Sequence, residues 1–284
     1  MKDMTKITDK NGQTLDQFLA AYDETMYRHP SCAVDLIMMT VTEDKLKILL
    51  RRRQEHPWLG QWAIPGGFVG YDEDLDQAAE RLLKEKTDLS RVYFRQLYTL
   101  GQTDRDPRTR VISTVYFSMT PAGCILNSEA GSHDLCWFNI AKIVESLDER
   151  GRRSTLTLDN GDVHIAYEVE DKAMGNYVET RSRLLESSDS ALAADHIKAV
   201  NMAMDMLRNR AASTGIMFNL LPEAFTLREA QTVYEGILGH TVDTGNFRRD
   251  IRRMLRETGE YRLVHGKKAA LYTFDPLYEY LEEN

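Results

Sequence analysis

The sequence predicts an α/β sandwich followed by a C-terminal winged helix-turn-helix, and two observations carry that reading. From Ser31 to Phe138, short apolar or alternating runs surround one amphipathic helix. After Pro222 the order becomes capped helix, short turn, basic helix and basic hairpin. A chain of 284 residues is long enough for two domains. We place an N-terminal helical arm at 1–30, the sandwich at 31–185, and a linker helix with the winged helix-turn-helix at 186–284.

Bulk properties narrow the function classes. The hydrophobic fraction of 42% and charged fraction of 28% are ordinary for a globular chain, and the net charge of -8 excludes a uniformly basic nucleic-acid binder. Any such activity must be local. Cys32, Cys124 and Cys136 are widely spaced, with no CxxC or Cys/His pairing, which argues against a disulfide framework or a zinc site. Met1 to Gln13 is polar and the apolar run from Ala33 to Val41 is short and broken by Asp35, so we expect a cytoplasmic protein with no membrane partner.

The elements follow in order. Thr14 to Tyr27 sets Leu15, Phe18, Leu19, Tyr22 and Met26 at helical spacing, an arm whose apolar face needs a partner. Strands are predicted at Ala33 to Val41, Leu46 to Leu50, Trp62 to Pro65, Val92 to Leu100, Val111 to Met119 and Leu135 to Phe138. Between them Asp72 to Lys86 is helical, with Asp72 or an adjacent acid at its N-terminus. Leu156 to Leu158 and Val163 to Val169 flank Asn160-Gly161, which favours a tight hairpin extending the sheet. Ala191 to Ala212 reads as the linking helix. Thr226-Leu227-Arg228-Glu229 has the form of a capping box, opening a helix that stops at Gly239, and a second helix is predicted from Thr244 to Gly259.

Within the sandwich one segment carries chemistry. Gly67-Phe68-Val69-Gly70-Tyr71-Asp72-Glu73, then Arg81-Leu82-Leu83-Lys84-Glu85-Lys86-Thr87-Asp88-Leu89, resembles the Nudix box in spacing and framework. In that box, glutamates at i, i+3 and i+4 share a helix face and hold magnesium against a diphosphate. Here the face carries Leu82, Glu85 and Lys86, and Asp88 stands where the box has glycine. One carboxylate beside a lysine is a poor magnesium site, so we expect no metal, no cofactor and little pyrophosphate hydrolysis.

The rest of the pocket can still take a nucleotide. Gly66-Gly67 lets the backbone approach a ligand, Arg81 and Lys86 can face phosphate oxygens, Arg51 and Arg53 close a strand, and Trp62 offers a stacking face. Glu73 is in register with them. The competing accounts are structural: Arg81 as a strut on Glu73, and Trp62 as core. Arg105-Asp106-Pro107-Arg108 precedes another strand, and its charges fit a solvated turn equally well. With Arg51 to Pro65, however, this stretch resembles the Nudix-related transcriptional regulators, the NrtR family, over most of 31–138 and again over 188–275.

On the second C-terminal helix, Phe247, Ile251, Met254 and Leu255 define a buried stripe. The opposite face carries Arg248, Arg249, Arg252, Arg253 and Arg256, with Thr244 and Asn246 at the N-terminal end where a recognition helix meets base edges. Tyr261 to Val264 and Ala269 to Phe274 can pair as a wing whose tip is His265-Gly266-Lys267-Lys268. Gly245 to Lys268 holds eight Lys/Arg against three acids, a local excess of positive charge in an acidic chain. A solvated helix laced with salt bridges is the alternative.

The family resemblance implies ADP-ribose or a related nucleotide as effector, an operator in double-stranded DNA, control of NAD metabolism or sugar catabolism, repression relieved by the effector, and a homodimer. Dimerisation also follows from physics, because one recognition helix reads only a few base pairs. Two other classes compete: an active Nudix hydrolase of ADP-ribose or nucleotide sugars using Glu85 and Glu73, and a dead-enzyme scaffold that binds another protein.

Overall fold

The computed structural model describes residues 7–87, 92–122, 134–211, 213–264 and 266–278. Asp88, Leu89, Cys124 and the wing-tip His265 lie outside them. A ten-stranded sheet organises the molecule, in the order β10-β9-β8-β7-β2-β1-β6-β5, with β3 (Trp62–Ala63) against β2 and β4 (Gly66–Phe68) against β1. β1 (Ser31–Thr42) is central, antiparallel to β2 (Lys45–Arg52) and parallel to β6 (Val111–Met119), which pairs in turn with β5 (Tyr93–Leu100).

Strand alternation decides what each face holds. Val34, Leu36 and Met38 point to one side and pack against Ala78, Ala79, Leu82 and Leu83 of α2 (Leu75–Thr87). Ile37, Met39 and Val41 point to the other, into a core that includes Val200 and Met204 of α3 (His196–Ala211). Helices therefore cover both faces, as a sandwich requires. The N-terminus of α2 is closed by Asp74 rather than Asp72: Gln77 N–H donates to the Asp74 carboxylate at 2.8 Å, and Asp74 N–H to Gln77 Oε1 at 2.9 Å.

Several expectations need correcting. The strand expected to end at Phe138 continues as β7 (Leu135–Asp148), and β8 (Gly151–Asp159), β9 (His164–Met174) and β10 (Tyr177–Leu184) follow as an antiparallel meander. The Asn160-Gly161 turn is a four-residue loop between Asp159 and His164, with Asn160 Oδ1 accepting the Asp162 and Val163 N–H groups. The linking helix starts at His196, not Ala191. Its first residues are extended because Ala191 O and Ala193 N–H bond to Trp62, and Ala194 then turns through φ 49°. The N-terminal arm is shorter than expected too. α1 (Leu15–Ala21) keeps a capping box between Thr14 and Gln17, ends at an extended Tyr22, and buries none of its side chains.

The C-terminal module comprises α4 (Leu227–Leu238), α5 (Thr244–Arg252) and the hairpin β11 (Leu255–Val264) with β12 (Lys267–Phe274). Thr226 and Glu229 form the capping box of α4, and Gly239 at φ 77° ends it. α5 does not reach Gly259: Leu255 pairs with Phe274 and Arg256 with Thr273, so strand pairing takes the residues whose spacing suggested helix. The module is not a separate bead. Val233, Ile237, Phe247 and Tyr272 share one core cluster with Ile48, Leu156 and Val200, and Gly236 lets α4 approach β1, where an added Cβ would stand 3.2 Å from Val41.

Candidate functional site

The degenerate box is closed by its own residues. Arg81 donates to both Glu73 oxygens at 2.9 and 2.5 Å, to Glu85 at 3.2 Å and to Phe68 O at 3.1 Å. Those bonds, with the Gly70 N–H, hold the Glu73 carboxyl down at about 2. Leu82 is buried under the Gly-Gly turn, where a Cβ on Gly67 would sit 2.7 Å from its Cδ2. Lys86 is half-buried and lines no part of the cleft described next. A magnesium site does not fit here, since of its three positions only Glu85 is a carboxylate and it is bonded to Arg81, while the other two are the buried Leu82 and the cationic Lys86. Among the described residues no group of three or more His, Cys, Asp or Glu side chains is placed to hold a metal ion.

The cleft lies beside this helix, a cavity of about 350 Å³ floored by Asp35, Gly66, Gly67 and Ser113 and walled by Arg51, Arg53, Trp58, Arg105, Arg108 and His196. Gly66 is required, because a Cβ would fall 2.6 Å from Val34 O. Of the ten residues expected in the pocket, the structure gathers Arg51, Arg53, Gly66, Gly67, Arg105 and Arg108 and leaves out Trp62, Glu73, Arg81 and Lys86. Trp62 is core: it is 6% exposed and meets Phe138 edge-on at 4.7 Å. Two aromatics line the cleft instead: Phe68, which follows the Gly-Gly turn, and Trp58, at φ 62°, with the Arg53 guanidinium 5.6 Å from its ring.

The cations differ in commitment. Arg53 donates to Pro57 O at 2.7 Å, and burial lowers its pKa. Arg108 grips Asp106 at 3.1 and 2.8 Å, which lowers the Asp106 pKa and raises that of Arg108. Arg105 is almost wholly buried and bonds Asp195 at 2.9, 3.1 and 3.3 Å, with Asp35 at 3.7 Å. Arg51 is half-buried and makes no side-chain hydrogen bond among the described residues. Asp35 accepts from Ser113 Oγ at 2.6 Å, and the ring of His196 lies 3.8 Å away. His196 Nδ1 accepts the Ile64 N–H at 3.0 Å, which assigns its proton to Nε2, and burial lowers its pKa. Sequence reasoning missed Trp58, Asp195 and His196, and saw Asp35 only as an interruption; a lone carboxylate inside an apolar central strand was the available signal.

At the other end, Phe247, Ile251 and Met254 are buried, with Met254 in the turn after α5, while Thr244, Asn246, Arg248, Arg249, Arg252, Arg253, Lys267 and Lys268 are exposed. Asp243 caps α5 by accepting the Asn246 N–H at 2.8 Å, and the Thr244 hydroxyl is held by Gln231 of α4 at 3.1 Å. Among the described residues Arg249 reaches only Asp250, and Arg252 only Glu257, each at about 70% side-chain exposure. Arg253 is the C-cap and lies over Tyr278. Arg256 and Arg262 are spent within the fold, on Asp275 and on Glu229, so the usable positive patch is smaller than the residue count suggested.

Comparisons with known proteins agree with this division of labour. The NUDIX domain signature matches residues 33–158, and that of the NrtR DNA-binding winged helix domain matches 217–274. An ADPR responsive transcriptional repressor NtrR of Acinetobacter baylyi is 28% identical over 261 residues, 90% of this chain and 87% of its own. An ADP-ribose pyrophosphatase of Methanocaldococcus jannaschii is 42% identical over 91 residues, which are 32% of this chain and 52% of the relative. The crystal structure of Shewanella oneidensis NrtR complexed with a 27mer DNA superposes with a TM-score of 0.64 at 27% identity, over 87% of this chain and 94% of that one. Among the described residues no helix is long and apolar enough to cross a membrane. With a Nudix sandwich at its centre and an NrtR winged helix at its C-terminus, the chain belongs to the Nudix-related transcriptional regulators.

Proposed function

We propose that the protein is a cytoplasmic, homodimeric DNA-binding repressor that senses ADP-ribose or a related nucleotide and controls genes of NAD metabolism or sugar catabolism. The observation that carries this is a paired one: the cleft keeps four arginines around a glycine floor, while the box beside it has Glu73 and Glu85 bonded to Arg81, and Leu82 standing where a metal-binding glutamate would. Such a site holds a diphosphate without the ion needed to cleave it. The names of the Acinetobacter and Shewanella relatives support both partners.

In this reading Arg51, Arg53, Arg105 and Arg108 take the phosphates and ribose, Trp58 takes the base, and Gly66-Gly67 admits the ligand. Asn246, Arg248, Arg249 and Arg252 read the duplex, with Lys267 and Lys268 on its phosphates. The sensor occupies 31–185 and the reader 186–284. The exposed apolar side chains of α1, Leu15, Phe18 and Leu19, belong to the dimer contact. Effector and operator oppose each other through reciprocal coupling, so ADP-ribose releases DNA. Gel shift on a duplex selected by the protein from a random pool tests this; operator affinity indifferent to saturating ADP-ribose would refute it.

A second reading, residual pyrophosphatase activity, is favoured by the 42% identity to the Methanocaldococcus enzyme and by the retained Glu73 and Glu85. Magnesium-dependent cleavage of the ADP-ribose diphosphate linkage that disappears in Glu85→Gln would select it.

A further inference from the structure

We propose that α3 is the lever between cleft and recognition helix, with the Arg105–Asp195 ion pair as its input and Arg208 as its output. This inference rests on the effector reading above and assigns a mechanism to it. At the input, Arg105 lines the cleft yet spends three hydrogen bonds on Asp195, the residue just before α3. The first turn of the helix is fastened to the same region twice more: His196 accepts the Ile64 N–H, and Lys198 donates to Gln102 at 2.7 Å. Ala194, in the left-handed region, makes the joint.

A diphosphate in the cleft offers Arg105 a doubly charged partner in place of a carboxylate. When Arg105 turns to it, Asp195 loses its counterion and the start of α3 loses an anchor. The helix itself does not absorb the shift. It is 16 residues long, about 24 Å, and nine of its side chains are buried between sheet and reader.

At the output, Arg208 bridges three carbonyls. It donates to Ile237 O and Leu238 O, both at 3.1 Å, and to Lys142 O at 2.6 Å. Ile237 and Leu238 are the last residues of α4, whose orphan carbonyls need such donors, and Gly239 immediately opens the turn into α5. One turn earlier, Asp205 is bonded by Lys142 at 2.7 Å and Arg152 at 2.7 Å, which ties the same end of α3 to the meander. A displacement of α3 therefore reaches the hinge of the helix-turn-helix.

The test measures two quantities for full-length wild type, Asp195→Asn, Arg208→Met and Arg208→Lys: ADP-ribose affinity by calorimetry, and the factor by which saturating ADP-ribose weakens binding to the selected duplex. For Asp195→Asn we expect ADP-ribose to bind about three-fold or more tighter, since phosphate no longer competes with a carboxylate, while the coupling factor falls about ten-fold. A merely structural Asp195 gives weaker ligand binding instead. For Arg208→Met the ligand affinity stays within about two-fold and the coupling factor again falls about ten-fold, with Arg208→Lys between it and wild type because an ammonium cannot span three carbonyls. Should Arg208→Met fail to fold, Asp195→Asn and Arg208→Lys decide the matter alone. Wild-type coupling in both soluble variants overturns the lever and spares the effector reading; a wild type that shows no weakening at all overturns both.

Discussion

Helices α2 and α5 are both short, amphipathic and rich in cations, yet they end in opposite uses. On α2, Arg81 faces inward along the helix and is saturated by Glu73, Glu85 and a backbone carbonyl. On α5, Arg248 has no partner among the described residues, and Arg249 and Arg252 hold theirs loosely in solvent. A satisfied guanidinium braces a fold, and an unsatisfied one is available to a phosphate. The difference teaches that the partner list, not the residue type, separates a strut from a reader.

The largest test of that contrast restores the lost acid. Leu82→Glu places a carboxylate where a leucine is 3% exposed, and we expect a loss of about 3–5 kcal/mol in chemical denaturation with no magnesium-dependent turnover, because Glu73 and Glu85 remain on Arg81. Turnover in the folded variant would mean that Glu85 leaves Arg81 for the metal and that the strut is not fixed. Next, Arg248→Ala with Arg249→Ala should weaken binding to the selected duplex by about 100-fold and relax its sequence preference, leaving the melting temperature unchanged. An unchanged sequence preference would remove α5 from the base contacts.

Smaller effects separate strut from ligand residue within the sensor. Arg51→Ala should weaken ADP-ribose binding about ten-fold by calorimetry without lowering the melting temperature. Arg81→Met should do the reverse, lowering the melting temperature while ADP-ribose affinity holds. The last prediction concerns acid. His196 has its pKa lowered by burial, so the unfolded chain takes up its proton first; stability is complete above about 6.5 and declines as pH falls below it. Glu73 is held at about 2 against an ordinary 4.5, so its contribution persists to lower pH and fades between those values. Denaturation against pH should show two acid limbs, and His196→Asn should erase the upper one.

Much of this was legible in the sequence, where periodicity and caps decide structure locally. The near-continuous apolar run of β1, the Thr226–Glu229 box and the Gly239 stop all depend on neighbours a few residues apart. The α5 boundary was not legible, because Arg252-Arg253-Met254-Leu255 continues a helical stripe and only the pairing of Leu255 with Phe274 overrides it. Trp62 and Trp58 are four residues apart and chemically alike; which one faces the cleft is set by Phe138, far along the chain. The Arg105–Asp195 pair spans 90 residues and leaves no periodic trace.

The shared core has a consequence for how the molecule melts. Phe247 beneath the recognition helix and Leu156 in the meander belong to one packed cluster, so neither half can lose its interior without exposing the other's. Occupancy of a cleft that takes only Ala194 and His196 from the 186–284 segment and touches no residue of the helix-turn-helix therefore raises the temperature at which the reader itself unfolds. On the proposed function the corollary lies in turnover: a nucleotide that detaches the repressor from its operator would also shield the detached chain from proteolysis and keep a reserve ready to rebind when the nucleotide falls.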